Sequence, residues 1–177
     1  SADGGGSAAY ELERFSFTGK LAVSHPDERL GLSVRWRQAG ERYRIDLSGP
    51  LGTGAAVVAG DTHGVSLTTA DGTMRAASPE ALLERALGWR LPVSAARWWV
   101  RGLPAPGSED GLARDAAGRV ERLLQDGWEV AFERWTQAAG YALPTEVRMR
   151  RGELELRLVV AEWQAGEAGL QQAAGGR

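Results

Sequence analysis

Residues 15–47, FSFTGKLAVSHPDERLGLSVRWRQAGERYRIDL, decide the fold of this chain because they alternate apolar and polar residues through three successive runs. This period of two is typical of a strand with one face in a core and the other in solvent. Short polar turns, SHPDE at 24–28 and QAGE at 38–41, separate the three runs. Strands joined by such short turns pair antiparallel, so this stretch predicts a three-stranded meander.

The strand pattern continues further along the chain. The runs AAVVAG, GVSLTT and TMRAA come next, and after an interruption follow RVERLLQ, WEVAFERW, EVRMR and LELRLVVAEW. We expect a hairpin turn at Asp126-Gly127 and a loop through Pro144. A sheet of this length with one apolar face has to curl to cover that face. The sequence therefore predicts a mainly β protein, an incomplete antiparallel β-barrel of about 10–11 strands.

The interruption between the two groups of strands is predicted to be helical. Residues 78–88, SPEALLERALG, begin with a Ser cap followed by Pro, have an acidic first turn and end at Gly. Residues 94–102, SAARWWVRG, predict a second short helix with Ser94 as its cap and Gly102 as its stop, and the following LPAPGSEDG predicts a loop. Amphipathic helices cover an open apolar concavity well, so we expect these two to form a lid over an apolar cavity.

Length and composition indicate a single domain. The chain has 177 residues, of which 43% are hydrophobic, and this suffices for one core. The Gly-rich residues 1–11 predict a flexible tether and residues 165–177 a C-terminal tail, which places the single half-barrel domain at 12–164. Cysteine is absent, which excludes disulfides and cysteine metal sites, and no apolar run approaches the ~20 residues that span a bilayer.

Charge and motifs disfavour several classes of function. The net charge is -2 and no basic block is present, so nucleic acid is not an expected partner. His25 and His63 lie in turns without partners at metal-ligand spacing, and we expect neither a metal nor a cofactor. The sequence has no strained nucleophile turn and no phosphate-binding glycine loop. These features argue against catalysis, although an all-β enzyme could assemble its site from distant residues.

Tryptophan is the unusual residue of this sequence, with seven copies. Core packing is the simpler interpretation for any single one. Trp36 and Trp128 fall on predicted strands, however, and Trp98 and Trp99 on the predicted lid. Large flat residues on a curved sheet facing a lid can also line a cavity for an apolar ligand. Both interpretations stay open, and acyl chains or similar apolar groups are the favoured ligands because no obvious lone charge lies in the inward registers of the strands.

One turn, SGPLGTG at residues 48–54, holds a large aliphatic residue, Leu51, among residues that usually form exposed turns. The residues alone favour a Leu51 that folds back onto the edge of the sheet.

Four stretches together resemble the LolB family of outer-membrane lipoprotein receptors over most of residues 12–164. Two are specific: the strand, Pro-Leu-Gly turn and strand, and the helix that ends in Trp-hydrophobic-x-Gly-Leu-Pro at 99–104. The four stretches are VRWRQAGERYRIDLSGPLGTGAAVV, SPEALLERALGWRLPVSAARWWVRGLP, GWEVAFERW and LRLVVAEW. The family fold is an incomplete β-barrel with a helical lid over an apolar cavity, which agrees with the pattern above.

The resemblance implies a function in lipoprotein transport without covalent chemistry. It implies a monomeric receptor at the periplasmic face of the outer membrane that accepts acylated lipoproteins from the carrier LolA and inserts them into outer-membrane lipid. Family members are anchored by a lipidated N-terminal cysteine, which this chain lacks, so we expect Ser1 to follow that cysteine. A soluble carrier of the LolA type and a barrel for small hydrophobic ligands are the alternatives.

The resemblance also assigns residues to this function. Matching positions place a membrane-insertion loop at Pro50, Leu51 and Gly52. They place four tryptophans in the lipid cavity: Trp36, Trp99, Trp128 and Trp163. Trp163 falls out of register with the apolar residues of its strand, so we expect a bulge or an edge position there.

Overall fold

Eleven antiparallel strands form one open sheet in the part of this protein that the structure describes. The computed structural model describes residues 9–10, 12–49 and 54–166. Within these ranges the strands are β1 (Arg14–His25), β2 (Glu28–Ala39), β3 (Arg42–Ser48), β4 (Ala56–Asp61), β5 (Gly64–Thr69), β6 (Gly72–Ala76), β7 (Gly111–Arg114), β8 (Val120–Gln125), β9 (Trp128–Ala138), β10 (Tyr141–Arg151) and β11 (Leu154–Ala165). Two helices, α1 (Pro79–Leu87) and α2 (Val93–Trp99), interrupt them.

The order of the strands across the sheet is β6-β5-β4-β3-β2-β1-β11-β10-β9-β8-β7. The first and last strands therefore pair in the middle, and β6 and β7 form the two edges. The predicted mainly β fold, an incomplete antiparallel barrel with a helical insert, is confirmed. The predicted hairpin at Asp126-Gly127 is also present, with φ of 52° and 78° at its two central residues.

The second half of the sheet differs from the prediction in two places. The predicted loop that follows α2 is present except for its last residue, Gly111, where the unpredicted edge strand β7 begins; its four residues are too few for a period of two to be recognised. Pro144 lies inside β10 and not in a loop. The pairing of β10 with β9 shifts register at this point, between Pro144 and Glu146. Such an irregularity accommodates a residue without a backbone N–H.

A bulge at the seam between β1 and β11 explains the register of Trp163. Thr18 pairs with Glu162, but Gly19 pairs with Val160, so one residue of β11 is left without a partner. The extra residue reverses the alternation, and Trp163 is buried with the core although its spacing from Leu158 is odd. The strands approach closely here, because a Cβ on Gly19 would meet the carbonyl oxygen of Val159.

The two helices begin in different ways. The Ser78 side chain accepts a hydrogen bond of 3.2 Å from the amide of Ala81, and Gly88 ends α1 with φ 87°, as predicted. The predicted Ser94 cap of α2 is wrong, because that helix begins at Val93, after Pro92. The Ser94 amide instead donates to Glu80 Oε1 of α1 at 3.2 Å, which ties the two helices together.

Apolar side chains from the inner side of the sheet and from both helices form one core. Helix α1 packs over β5 and β6 and contacts α2. In the part of the chain that the structure describes, no helix is long and apolar enough to cross a membrane. The predicted boundaries at residues 12 and 164 stay predictions, since residues 1–8 and 167–177 lie outside the described ranges.

Candidate functional site

An apolar cavity of about 70 Å³ lies between the sheet and the two helices. Its walls come from β1 to β4, β10 and β11, and every residue that lines it is apolar. Its roof consists of residues from the helices and the segments next to them: Leu83, Leu91, Pro92, Val93, Ala96 and Val100. An apolar enclosure without polar partners stays dry, so it is suited to hydrocarbon.

This cavity is too small for a lipid chain while the roof lies in its present position. Pockets that hold small molecules occupy roughly 300–1,000 Å³, several times more than is present here. A long hydrocarbon chain fits only if the roof moves away from the sheet. Leu82 and Leu83 of α1 are buried against the core, so opening the roof exposes apolar surface and has a cost in free energy.

Trp36 is the one of the four assigned tryptophans that lines the cavity. Its indole Nε1 donates to Gln38 Oε1 at 2.9 Å, and its ring centroid lies 5.9 Å from that of Phe17. The hydrogen bond satisfies the single polar atom of the side chain, so the rest of the ring is free to contact an apolar ligand.

Trp99 and Trp128 pack against each other at the end of α2, with ring centroids 6.4 Å apart. Trp99 is fully buried, and its Nε1 donates to Gln125 Oε1 at 2.9 Å. The amide of Gln125 also bonds both backbone groups of Ala105, each at 2.9 Å. This network fixes the C-terminal end of the roof to β8.

Trp163 lies on the other side of the core, where its Nε1 donates to the carbonyl oxygen of Pro144 at 2.6 Å. Its ring centroid is 4.9 Å from that of Phe17, which also contacts Trp36. The structure thus brings Trp36 and Trp163 together through Phe17, and Trp99 together with Trp128. The role of all four in holding lipid stays a prediction.

The predicted insertion loop, Pro50, Leu51 and Gly52, lies outside the described residues. Its flanks are described: β3 ends at Ser48 and β4 begins at Ala56. The connection therefore joins two adjacent antiparallel strands at one end of the sheet.

Arg101 is a functional candidate that the sequence analysis missed. It follows α2, is 5% exposed, and donates to the carbonyl oxygens of Leu12 at 3.0 Å, Ala9 at 3.3 Å and Arg97 at 3.0 Å. Burial lowers the pKa of Arg101 to about 10, so it keeps its charge at neutral pH. It ties the N-terminal residues to the fixed end of the roof.

Aromatic rings take the place of a carboxylate around this buried cation. The guanidinium carbon lies 4.5 Å from the ring centroid of Trp98 and 5.4 Å from that of Phe15. A charged residue after a short helix usually lies in solvent, so no sequence signal marks Arg101. Gln125 could have been found, because a polar residue occupies an inward position of β8.

The contact between α1 and the sheet includes a half-buried acid, Glu80. Oε2 of Glu80 is buried and has no hydrogen-bond partner in the described part of the chain. Burial and then the charge of Glu80 raise the pKa of the nearby Tyr43 to about 12, so Tyr43 is neutral at physiological pH. Tyr43 also packs against Gly60, where an added Cβ would lie 2.6 Å from the ring.

Neither histidine belongs to a metal-binding cluster in the described residues. His25 lies 3.9 Å from Glu153 and His63 lies 3.8 Å from Asp61, each beside a single carboxylate. The described ranges contain no group of three or more His, Cys, Asp or Glu residues placed to hold a metal ion.

Comparisons with known proteins agree with the resemblance seen in the sequence. The family model described as outer membrane lipoprotein LolB matches residues 13–163. Outer-membrane lipoprotein LolB of Pseudomonas paraeruginosa is 44% identical over 160 residues, which are 90% of this chain and 78% of that protein. The protein of the same name from Alkalilimnicola ehrlichii is 45% identical over 148 residues, 82% of this chain and 74% of that protein.

The fold is also found in solved structures with little sequence identity. A LolA superfamily protein from Nitrosomonas europaea matches with a TM-score of 0.55 at 9% identity, over 88% of this chain and 87% of that one. At this level of identity the match concerns the fold alone.

Proposed function

Because the chain belongs to the LolB family of outer-membrane lipoproteins, we propose that it accepts lipoproteins at the periplasmic face of the outer membrane and inserts them there. The donor is the periplasmic carrier LolA, and the receptor acts as a monomer. The observation that carries this proposal is the wholly apolar lining of the cavity beneath the two helices, which would surround an acyl chain without water once the roof has moved. Family membership also confirms that the chain is not an enzyme.

The physical need for such a receptor follows from the cost of exposing lipid to water. Each acyl methylene contributes ~0.8 kcal/mol on burial, so one chain of about 16 carbons costs on the order of 10 kcal/mol when exposed. The chain therefore has to pass from one apolar enclosure to the next and then to the bilayer. Without an energy source, each acceptor has to hold the chain more favourably than its donor.

The fixed end of α2 determines which part of the roof moves. Trp99 and Arg101 are held by buried hydrogen bonds, whereas α1 is joined to the sheet mainly by apolar contacts. Opening therefore swings α1, the segment before α2 and the first turn of α2 away from the sheet, about the end near Trp99. The Glu80–Ser94 hydrogen bond keeps the two helices together during this movement.

Leu51 supplies the contact with the membrane in this proposal. Fully burying one leucine contributes roughly 1.5–3 kcal/mol, a tenfold to hundredfold preference that is far weaker than an anchor. A turn with one such residue can enter the bilayer surface during delivery and leave it afterwards.

A transfer assay with Leu51→Glu tests the proposal. We expect the variant to take up lipoprotein from loaded LolA in solution as the parent does, and to deliver it to vesicles about tenfold to hundredfold more slowly, because a carboxylate opposes entry into the bilayer. Thr53→Glu is the matched control, since it adds the same charge to the same connection and keeps Leu51.

Two results would reject parts of this function. Normal delivery by Leu51→Glu would remove the role of Leu51. Failure of the parent chain to form a complex with lipoprotein, together with tight binding of a small apolar ligand, would favour a hydrophobic-ligand carrier unrelated to lipoproteins.

A further inference from the structure

We propose that the outer side of the sheet binds anionic phospholipid headgroups through an arginine face. This face consists of Arg35, Arg37, Arg42, Arg44 and Arg75. The inference rests on the proposed function, namely on the outer-membrane location and on the exchange of cargo beneath the helices.

The strand register places these side chains on one side. Trp36 of β2 and Ile45 of β3 point into the core. Their sequence neighbours Arg37 and Arg44 therefore point outward, and these two arginines lie directly opposite each other. Arg75 of β6 pairs with Ser66 on the same outer side. A broad depression of about 990 Å³ runs across this face, lined by residues that include Arg37, Arg42, Arg44 and Arg75.

The positive charge of this face is not balanced. Arg37 and Arg44 share one carboxylate, Asp46, each with a shortest approach of 3.2 Å. Arg35, Arg42 and Arg75 make no ion pair within the described ranges. The arginine face thus has five arginines and only two carboxylates, those of Asp46 and Asp61. This is an excess of three positive charges on a chain whose net charge is -2.

The other half of the outer side shows what a balanced surface looks like. On β9, β10 and β11, four glutamates and four arginines form five ion pairs in three separate groups. The pairs are Glu129–Arg150 at 2.6 Å, Glu133–Arg148 at 3.0 Å, Glu155–Arg148 at 3.6 Å, Glu146–Arg157 at 2.8 Å and Glu146–Arg134 at 3.3 Å. The excess of arginine is therefore specific to the N-terminal half of the sheet.

This arrangement has a cost for the folded chain that a bound anion would offset. Like charges directly opposite each other on neighbouring strands destabilise a sheet, and Arg37 pairs directly with Arg44. The Nε of Arg37 is buried and has no hydrogen-bond partner in the described part of the chain. Burial acts to raise the pKa of Asp46, but hydrogen bonds and charge from Arg44 and Arg37 hold it below its ordinary value.

The position of the face favours a bilayer over an acidic protein. Cargo is exchanged on the inner side of the sheet, beneath the helices, so a docked carrier leaves the outer side free. The depression borders the start of β3 and the end of β4, and the connection that contains Leu51 joins the opposite ends of these two strands. A planar array of phosphates suits such a broad face better than a single deep contact does.

Vesicle binding by charge-reversed variants tests this inference. Arg42→Glu/Arg75→Glu changes two residues without ion pairs, so folding should be unaffected. Arg85→Glu/Arg122→Glu is the control, with the same change in charge at exposed positions away from the face. The vesicles are phosphatidylcholine, with or without about 30% phosphatidylglycerol.

We expect the parent chain to bind only the vesicles with phosphatidylglycerol and to release them as salt screens the charges. The Arg42→Glu/Arg75→Glu variant should bind at least about tenfold more weakly, and the control should stay within about twofold of the parent. The inference would be overturned if this variant and the parent bound the vesicles equally, or if the parent bound equally well with and without phosphatidylglycerol.

A second measurement separates this inference from the proposed function. Uptake of lipoprotein from loaded LolA without vesicles should be the same for the parent and the Arg42→Glu/Arg75→Glu variant. Failure of the parent in this assay counts against the proposed function alone. If the parent does not bind anionic vesicles and the Arg42→Glu/Arg75→Glu variant no longer takes up lipoprotein from LolA, the arginine face binds an acidic protein. The membrane inference is then wrong.

Discussion

Gln125 shows how one amide can fix one end of a moving element. Its side chain accepts from the indole of Trp99 and from the amide of Ala105, and it donates to the carbonyl of Ala105. A residue that cannot form these bonds leaves several polar groups in a largely buried place without partners. Each such group costs about 1–3 kcal/mol.

Replacing Gln125 with leucine should therefore destabilise the protein strongly. We expect Gln125→Leu to lower the free energy of unfolding by about 3 kcal/mol in urea denaturation, because the Trp99 indole and the Ala105 backbone lose their partners. Gln137→Leu, at an exposed position of β9, should change it by less than about 0.5 kcal/mol. Similar losses in the two variants would show that the network is not what stabilises this end of the roof.

At the scale of residues, the sequence indicated which side chains are unusual but not which residues they contact. The tryptophans stood out by number and position, but their partners did not. Trp36 reaches the cavity wall while Trp99 and Trp128 pack beside it, a difference that depends on where α2 lies. Arg101 could not be found at all, because its partners, Ala9 and Leu12, are about 90 residues away in sequence.

Local capping decides how each roof helix begins. Ser78 accepts a hydrogen bond at the start of α1, whereas Ser94 lies inside α2 and only its backbone amide bonds Glu80. A serine cap contributes about 1 kcal/mol, and an uncapped serine in a helix contributes little. The two serines therefore form a natural pair for comparison.

We expect Ser78→Ala to lower the free energy of unfolding by about 1 kcal/mol and Ser94→Ala to change it by only a few tenths. Thermal unfolding followed by circular dichroism measures both. A larger loss in Ser94→Ala would mean that its side chain, and not that of Ser78, caps a helix.

Strands were predictable where their alternation was long enough to detect. The period of two in β1, β2 and β3 and the Asp-Gly turn before β9 gave correct elements. The exceptions have a common cause, since β7 has four residues and Pro144 lies at a register shift. In both places pairing with a neighbouring strand overrides the local signal.

The whole molecule depends on one pairing that spans the length of the chain. β1 and β11 meet at the centre of the sheet and carry both Phe17 and Trp163, whose rings pack against each other. The alternating pattern indicates that the strands exist but does not give their order. The small volume of the closed cavity likewise follows from the packing of all elements together, so it could not be foreseen from the sequence.

The closed cavity leads to a prediction about the movement of the roof. Its volume is about 70 Å³, so acyl chains enter only if α1 moves away from the sheet. The chain has no cysteine, and pairs of introduced cysteines can therefore carry spin labels at chosen sites. Ala86 on α1 and Ala22 on β1 are both exposed and suit this purpose.

We expect the distance between labels at Ala86→Cys and Ala22→Cys to increase by roughly 4 Å or more when lipoprotein binds, since one layer of carbon atoms in contact has that thickness. Pulsed electron paramagnetic resonance measures it. A control pair, Ala22→Cys with Glu121→Cys, reports on two strands of the sheet and should not change. If the α1 distance stays constant in the loaded protein, the acyl chains lie elsewhere, and the cavity beneath the helices is not their binding site.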